Sequence, residues 1–297
     1  MALSDVVCLG FCYQSLATLP VLLFTLLVFA GSFAAGLLGA LTGLGGGVVL
    51  VPLLTIVFHV DIRYAIGASL ISVIATSSGA AAAYVREGFS NVRIGMFLEI
   101  ATTIGAIFGA FLATRTPTRA LAIIFGLVLL YSAWLSWRQT RCKEHLAEGS
   151  RWSDRLQLSG TYPDGHGGKQ SYRVDRIAGG FATMFGAGTL SGLLGIGSGA
   201  VKVLAMDQIM RIPFKVSTTT SNFMIGVTAA ASAGIYLHRG YVEPGLAFPV
   251  MLGVLAGSLL GAKVLVRAKV SLLRGIFTVV ILALGVEMIL NGLIGRM

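Results

Sequence analysis

Residues 36–52 read GLLGALTGLGGGVVLVP, and residues 188–204 read GTLSGLLGIGSGAVKVL. Both are apolar stretches with a glycine cluster in the middle, and they are separated by 152 residues. The same displacement, with no gap, carries Ser69, Thr76, Tyr84, Gly88, Gly105 and Gly109 onto Ser221, Thr228, Tyr236, Gly240, Gly257 and Gly261. Self-similarity at a fixed period marks a chain built from one structural unit used twice. Here the unit occupies roughly half the chain.

The composition says where such a unit lives. Of the 297 residues, 56% are hydrophobic and 11% charged, whereas a soluble domain carries about 25% charged residues. Long apolar runs recur at 20–58, 65–85, 94–114, 119–137, 177–210, 216–237, 245–266 and 272–294. Runs of roughly 18 or more apolar residues require a bilayer, so the expectation is an all-α, multi-pass integral membrane protein. The first residues, MALSDVVCLGFC, show neither a basic n-region nor a small-residue cleavage site, and we read no cleaved signal there. Cys8, Cys12 and Cys142 have no metal-ligand spacing, so neither a metal nor a cofactor is expected. The net charge of +10 sits at helix ends and in one loop. Orientation in a membrane accounts for it without nucleic acid.

The chain divides into a first transmembrane repeat (1–137), a polar loop (138–176) and a second repeat (177–297). The loop holds eight of the 22 lysines and arginines and reads as a solvated cytoplasmic linker. Each repeat contains four or five crossings, depending on whether the long runs 20–58 and 177–210 cross twice. Charge favours five. With Lys202 set aside, ten crossings put sixteen basic residues on the side of the central loop and five (Arg63, Arg115, Arg119, Arg239, Arg296) on the other. Eight crossings would put twelve inside and nine outside, with Arg211, Lys215, Lys263, Arg267, Lys269 and Arg274 on the wrong face. An odd number of crossings inverts the second repeat relative to the first. The second limbs of the two long runs are short enough to be half-helices reaching the midplane.

The clusters Gly43–Gly47 and Gly195–Gly199 are expected to break their helices, since glycine is costly inside a helix and permits positive φ. Broken backbone at membrane depth is tolerated only inside protein or along a cavity. The short helix that restarts after each break presents free N–H groups and a positive dipole end, which suits an oxyanion. Close helix packing is the competing reading. It is the better one for Gly105-x-x-x-Gly109 and Gly257-x-x-x-Gly261.

On this basis the candidate substrate-binding residues are Gly45, Gly46, Gly47, Gly197, Ser198, Gly199, Lys202, Ser69, Ser221 and Asn222. Lys202 stands in an apolar context, where a lysine faces a cavity or a partner such as Asp207, or snorkels to an interface. Its counterpart in the first repeat is Leu50. Ser69, Ser221 and Asn222 begin hydroxyl-rich helices and serve either an anion or the packing of helices. Glu99 and Glu287 are intramembrane carboxylates, candidates for carrying a proton or for an interfacial position. His59, His238, Arg86 and Arg239 read as interfacial. No G-x-S-x-G elbow surrounds Ser198 and no histidine accompanies it, so an intramembrane hydrolase is not expected and no catalytic residues are assigned.

A G-L-x-G-x-G-G-G break, an apolar helix with proline, a G-A-S helix start and repetition of the unit after a central loop resemble the sulfite exporter (TauE/SafE) family. The resemblance covers nearly all of the chain outside residues 1–20 and 138–176. It implies a secondary carrier of small sulfur-containing anions such as sulfite, sulfoacetate or related organosulfonates in the bacterial cytoplasmic membrane. Its partners would be the anion, the bilayer and a coupling H⁺ or Na⁺. An anion channel, or a carrier of another small organic anion, would use the same helix ends. The second cluster departs from the family pattern at Ser198, and its following helix lacks the proline found at Pro52.

Overall fold

The computed structural model describes residues 21–42, 46–86, 91–138, 158–163, 169–265 and 270–294. The first half comprises α1 (Val21–Thr42), α2 (Gly47–Pro52, continuing as a π-helical turn, Leu53–Val57), α3 (Ile62–Arg86), α4 (Val92–Arg115) and α5 (Thr118–Arg138). Two short strands, β1 (Gly160–Pro163) and β2 (Lys169–Tyr172), pair antiparallel between the halves. The second half follows with α6 (Ile177–Leu194), α7 (Gly199–Leu204, with its π-helical turn Ala205–Ile209), α8 (Phe214–His238), α9 (Pro244–Leu265) and α10 (Val270–Ile294). The starts of α2, α3, α4 and α5 recur in α7, α8, α9 and α10 at the same 152-residue displacement, as does the π turn. Proline does not cause that turn, because Leu204 stands where the first half has Pro52 and the turn forms all the same.

The short limbs double back. A methyl group on Gly46 would lie 3.5 Å from Gly36 Cα, and one on Gly31 would lie 3.1 Å from Leu53 and 3.4 Å from Phe58. Phe58 also meets Phe24 edge to face at 5.9 Å between centroids. Residues 46–58 therefore run antiparallel to α1 and end near its beginning. The second half repeats the return: the Asp175 N–H donates to the Met210 carbonyl at 3.1 Å, with Arg211 4.0 Å from the Asp175 carboxylate. At 1.5 Å per residue the limb from Gly47 to Val57 is about 16 Å long, half a bilayer core. Each limb is thus a half-length helix and not a full span.

Helix α1 packs on α9 of the other half, and α6 packs on α4, so each half grips its partner through equivalent helices. Glycines make the approach. A methyl on Gly105 would strike the Phe185 carbonyl, and one on Gly257 the Phe33 carbonyl; these two contacts are related by the 152-residue displacement. Gly188 against Thr102 and Gly36 against Val254 form a second related pair. Small residues that bring backbones together are how membrane helices associate, which bears out the packing reading of Gly105 and Gly257.

Helix α4 is built inside out. Its buried face holds Gly95, Leu98, Glu99, Thr102, Gly105, Ala106 and Gly109, while Met96, Ile100, Ile104, Ile107, Phe108 and Phe111 point outward and are exposed. Large apolar residues outside and small or polar ones inside suit a lipid surround. Val92–Arg115 and Ile177–Leu194 are each long and apolar enough to cross a membrane.

Two ends of the bundle are tied. At one, Arg63 donates to the Thr116 carbonyl at 3.0 Å and to the Tyr241 hydroxyl at 3.4 Å. At the other, the Asn91 amide donates to Tyr172 Oη at 2.7 Å and to the Leu158 carbonyl at 3.2 Å, and its N–H donates to Thr220 Oγ1 at 3.1 Å. The central polar segment is therefore more than a solvated linker in its described parts. Leu158, Tyr162, Tyr172 and Val174 bury their apolar surface beside Ile94, Leu98 and Met210. Burial raises the pKa of Tyr172, against the opposing effect of the Asn91 hydrogen bond.

Candidate functional site

The site forms where the second break meets α3 and α8. Helix α6 ends on Gly195, whose N–H reaches the Ser191 carbonyl at 2.8 Å. Tyr236 donates its hydroxyl proton to the carbonyls left over at this end, with Gly192 O at 3.2 Å and Leu193 O at 3.4 Å. The chain then turns through positive φ at Gly195 (67°), Gly197 (69°) and Ser198 (45°) before α7 begins. Among these Ser198 is the strained residue, since only glycine adopts such angles freely. Its hydroxyl oxygen is buried and has no hydrogen-bond partner.

The predicted hydroxyls hold the break in place. Ser69, from the other half, donates to the Gly195 carbonyl at 2.9 Å, and Ser221 donates to the Gly199 carbonyl at 3.3 Å. Both protons are thus given to backbone, which is the packing alternative for these residues. Asn222 is half-buried on α8, and its carbonyl accepts from Ser77 at 2.6 Å. Gly47 adjoins this cluster: a methyl there would lie 2.7 Å from Ser69 Oγ and 3.1 Å from the Gly195 carbonyl. Ser69 therefore bridges the start of α2 and the end of α6. Gly46 is buried against Val254 with φ of −63°, unlike its counterpart Ser198. Gly45 lies outside the described residues.

The two limbs begin alike. The N–H groups of Leu50 and Lys202 reach the carbonyls of Gly46 and Ser198, each at 3.1 Å. The N–H groups just before them, at Gly47–Val49 and Gly199–Val201, precede the first intrahelical bond, as in any helix start.

Lys202 is fully buried, at 0% exposure. Its ammonium donates to the Thr228 hydroxyl and to the Met224 carbonyl, the latter at 3.3 Å. Thr228 in turn lies 2.6 Å from Glu99 Oε1, which also accepts from Thr103 at 3.2 Å. Glu99 is 7% exposed, and its second oxygen, Oε2, is buried without a partner. An ammonium and a carboxylate are thus joined through one threonine hydroxyl, contributed by α7, α8 and α4. Lys202 neither snorkels nor pairs with Asp207 in any ion pair among the described residues. Of the two carboxylates singled out, Glu99 faces inward and Glu287 is exposed on α10. His238 and Arg239 are exposed at the end of α8, in keeping with interfacial positions.

Thr228, which joins Lys202 to Glu99, is not among the candidate residues the sequence singles out. It recurs with Thr76 at the 152-residue displacement, and that recurrence was the only available signal. Nothing local links residue 228 to residue 99, which lies 129 positions earlier on a different helix. Chemically, the arrangement offers a buried positive charge, a carboxylate able to neutralise it and two unpartnered oxygens, Ser198 Oγ and Glu99 Oε2. No group of three or more potential metal ligands occurs among the described residues.

Comparison with known proteins gives a consistent picture. The sequence model described as "Sulfite exporter TauE/SafE" matches residues 28–288. The probable membrane transporter protein YunE of Bacillus subtilis is 27% identical over 91% of this chain and 98% of its own length. YdhB of the same organism, also named a probable membrane transporter protein, is 28% identical over 80% of this chain and 89% of its own. A probable membrane transporter protein of Methanocaldococcus jannaschii, MJ0441, is 25% identical over 91% and 96%. No solved structure matches significantly.

Proposed function

We propose that this protein, which belongs to the sulfite exporter (TauE/SafE) family, carries small sulfur-containing anions across the cytoplasmic membrane as a secondary transporter. The observation that carries the reading is Lys202: a fully buried ammonium beside a broken helix, in a membrane transporter family. A buried intramembrane charge marks a transport pathway by default. Sulfite, sulfoacetate or a related organosulfonate presents the compact oxyanion that such a charge recognises.

The anion would sit at the interface of the halves, near mid-depth. The N–H groups at Gly46–Gly47 and Gly197–Gly199 would face it, with Lys202, the Ser198 hydroxyl and Asn222 completing the shell. Ser69 and Ser221 would act through the backbone carbonyls they fix.

The doubled-back limbs support two inverted repeats. Each half enters and leaves its limb at one level and then crosses three times, so the second half starts on the opposite face. That topology would put the central loop and sixteen basic residues on one side, which the positive-inside rule would make cytoplasmic. Rocking of one half against the other about the site would give alternating access, as in other repeat-built carriers.

The test is uptake of labelled sulfite and sulfoacetate into proteoliposomes, with and without imposed pH or Na⁺ gradients. Saturable, concentrative flux that weakens in Lys202→Ala is the expected result. Unitary conductance steps without accumulation would replace the carrier with an anion channel. Unchanged affinity in Lys202→Ala would remove Lys202 from the site.

A further inference from the structure

The Thr228 hydroxyl has one proton and two acceptors within reach. Its Oγ1 lies 2.6 Å from Glu99 Oε1 and 2.8 Å from the Met224 carbonyl, while Lys202 donates to it. A hydroxyl can donate once and accept twice, so two proton arrangements fit the same heavy atoms. With Glu99 ionised, Thr228 donates to the carboxylate and links it to the ammonium. With Glu99 neutral, the Thr228 proton can turn to the Met224 carbonyl, and Lys202 keeps both its acceptors but loses its counter-charge.

Glu99 Oε2 supplies the place for the proton. It is buried with no partner, although buried polar atoms are almost always hydrogen-bonded. Protonating Oε2 removes the negative charge, the form in which a buried oxygen without a donor is most costly. A lone buried ammonium is then the unfavourable member, and an anion arriving at Lys202 supplies the missing counter-charge.

We propose that Glu99 is the proton-binding residue of the transporter, and that its protonation releases the Lys202 charge to the anion, so that one proton and one anion bind together. The proposal rests on the anion-carrier reading above and assigns its coupling ion. No bond other than O–H forms or breaks: the proton comes from water on one side and leaves to water on the other.

The surroundings leave few competitors. Helix α6 presents no titratable group between Ile177 and Leu194. Helix α8 presents Thr228 at the site, with Lys215 at its first turn, Tyr236 engaged by the carbonyls of Gly192 and Leu193, and His238 exposed at its end. The second limb contributes Lys202 and, further along, the half-buried Asp207. Helix α4 itself has arginines only at its ends, Arg93 and Arg115.

The experiment measures sulfoacetate affinity against pH in the purified full chain, together with proton uptake on binding in weakly buffered solution. Sulfoacetate is the probe because both its acid groups stay ionised from neutral to mildly acidic pH. By linkage, the wild type should gain about tenfold in affinity per pH unit of acidification above the titration of the carboxyl, and take up one proton per anion. Glu99→Gln, a permanent mimic of the neutral carboxyl, should hold its affinity within about twofold over the same range. Thr228→Ser should keep the wild-type slope and Thr228→Val should flatten it. A full slope in Glu99→Gln, or anion binding without proton uptake in the wild type, overturns the proposal.

If neither sulfoacetate nor sulfite binds the wild type, the substrate reading fails, and infrared difference spectra on acidification decide the proton site separately. A carboxylic-acid carbonyl band present in the wild type and missing in Glu99→Gln upholds it. No such band in the wild type ends it.

Discussion

Lys202, Thr228 and Glu99 meet at the second helix break; the 152-residue displacement carries them to Leu50, Thr76 and Met251. Leu50 is as deeply buried as Lys202, both at 0% exposure, so the same pocket in the backbone is filled once by a hydrocarbon and once by a charge. Thr76 bonds back onto its own helix, to the carbonyls of Ser72 and Val73 at 3.1 Å, where Thr228 reaches across to an ammonium and a carboxylate. The helix starts, the π turns and the glycine contacts are common to both halves. The backbone pattern thus recurs with and without the polar cluster.

The sharpest way to break this comparison is to make the second break resemble the first. Lys202→Leu alone leaves the Glu99 carboxylate buried without its charge partner, and should cost about 3–5 kcal/mol. Adding Glu99→Met, after Met251, completes the copy of the first break. Replacing a buried ion pair by apolar residues is neutral or stabilising by roughly 1–4 kcal/mol, so the double variant should recover wild-type thermal stability in detergent while transport stays lost. A double variant that remains as unstable as Lys202→Leu would show that the cluster is structural.

Thr228→Val against Thr76→Val tests the threonines in the same way. The first should cost about 1–3 kcal/mol by leaving buried charged groups unsatisfied. The second removes only a bond back to its own helix and should fall within about 0.5 kcal/mol of wild type. Equal losses in thermal unfolding would erase the distinction between the halves.

Gly105→Ala and Gly257→Ala probe what the halves share. Each new methyl meets a backbone carbonyl, so each should destabilise by about 1–3 kcal/mol, and by similar amounts. A large inequality between their melting temperatures would mean that the two helix contacts are not equivalent. A modest gain is expected at the second break. Ser198→Gly relieves a non-glycine residue at positive φ and should stabilise by about 1 kcal/mol. Reduced anion affinity in that stabilised variant would assign its unpartnered hydroxyl to the substrate.

The architecture was legible because it is written locally. Glycine clusters, apolar runs and their repetition placed the breaks at Gly43–Gly47 and Gly195–Gly199, and the recurring Gly105 and Gly257 marked helix contacts. The family resemblance drew on the same residues and is matched over residues 28–288. The polar cluster was only half legible. Lys202 and Glu99 each stood out as charges in apolar runs, but their connection runs through Thr228, on a third helix, and depends on packing that no local pattern encodes. The packed β-hairpin escaped notice for a related reason. Leu158, Tyr162, Tyr172 and Val174 are apolar residues scattered through a polar stretch, and they find burial only against Ile94, Leu98 and Met210.

The charge bridge also bears on how the protein is made. Glu99 belongs to the half synthesised first, and Thr228 emerges 129 residues after it. At roughly 5–20 residues per second, the carboxylate waits on the order of ten seconds in the nascent chain before its partners exist. Neither half holds both charges of the bridge, so the two are not independent inserts joined by a tether. Separately expressed halves should be degraded when produced alone and rescued when produced together, with the first half held open until the second arrives.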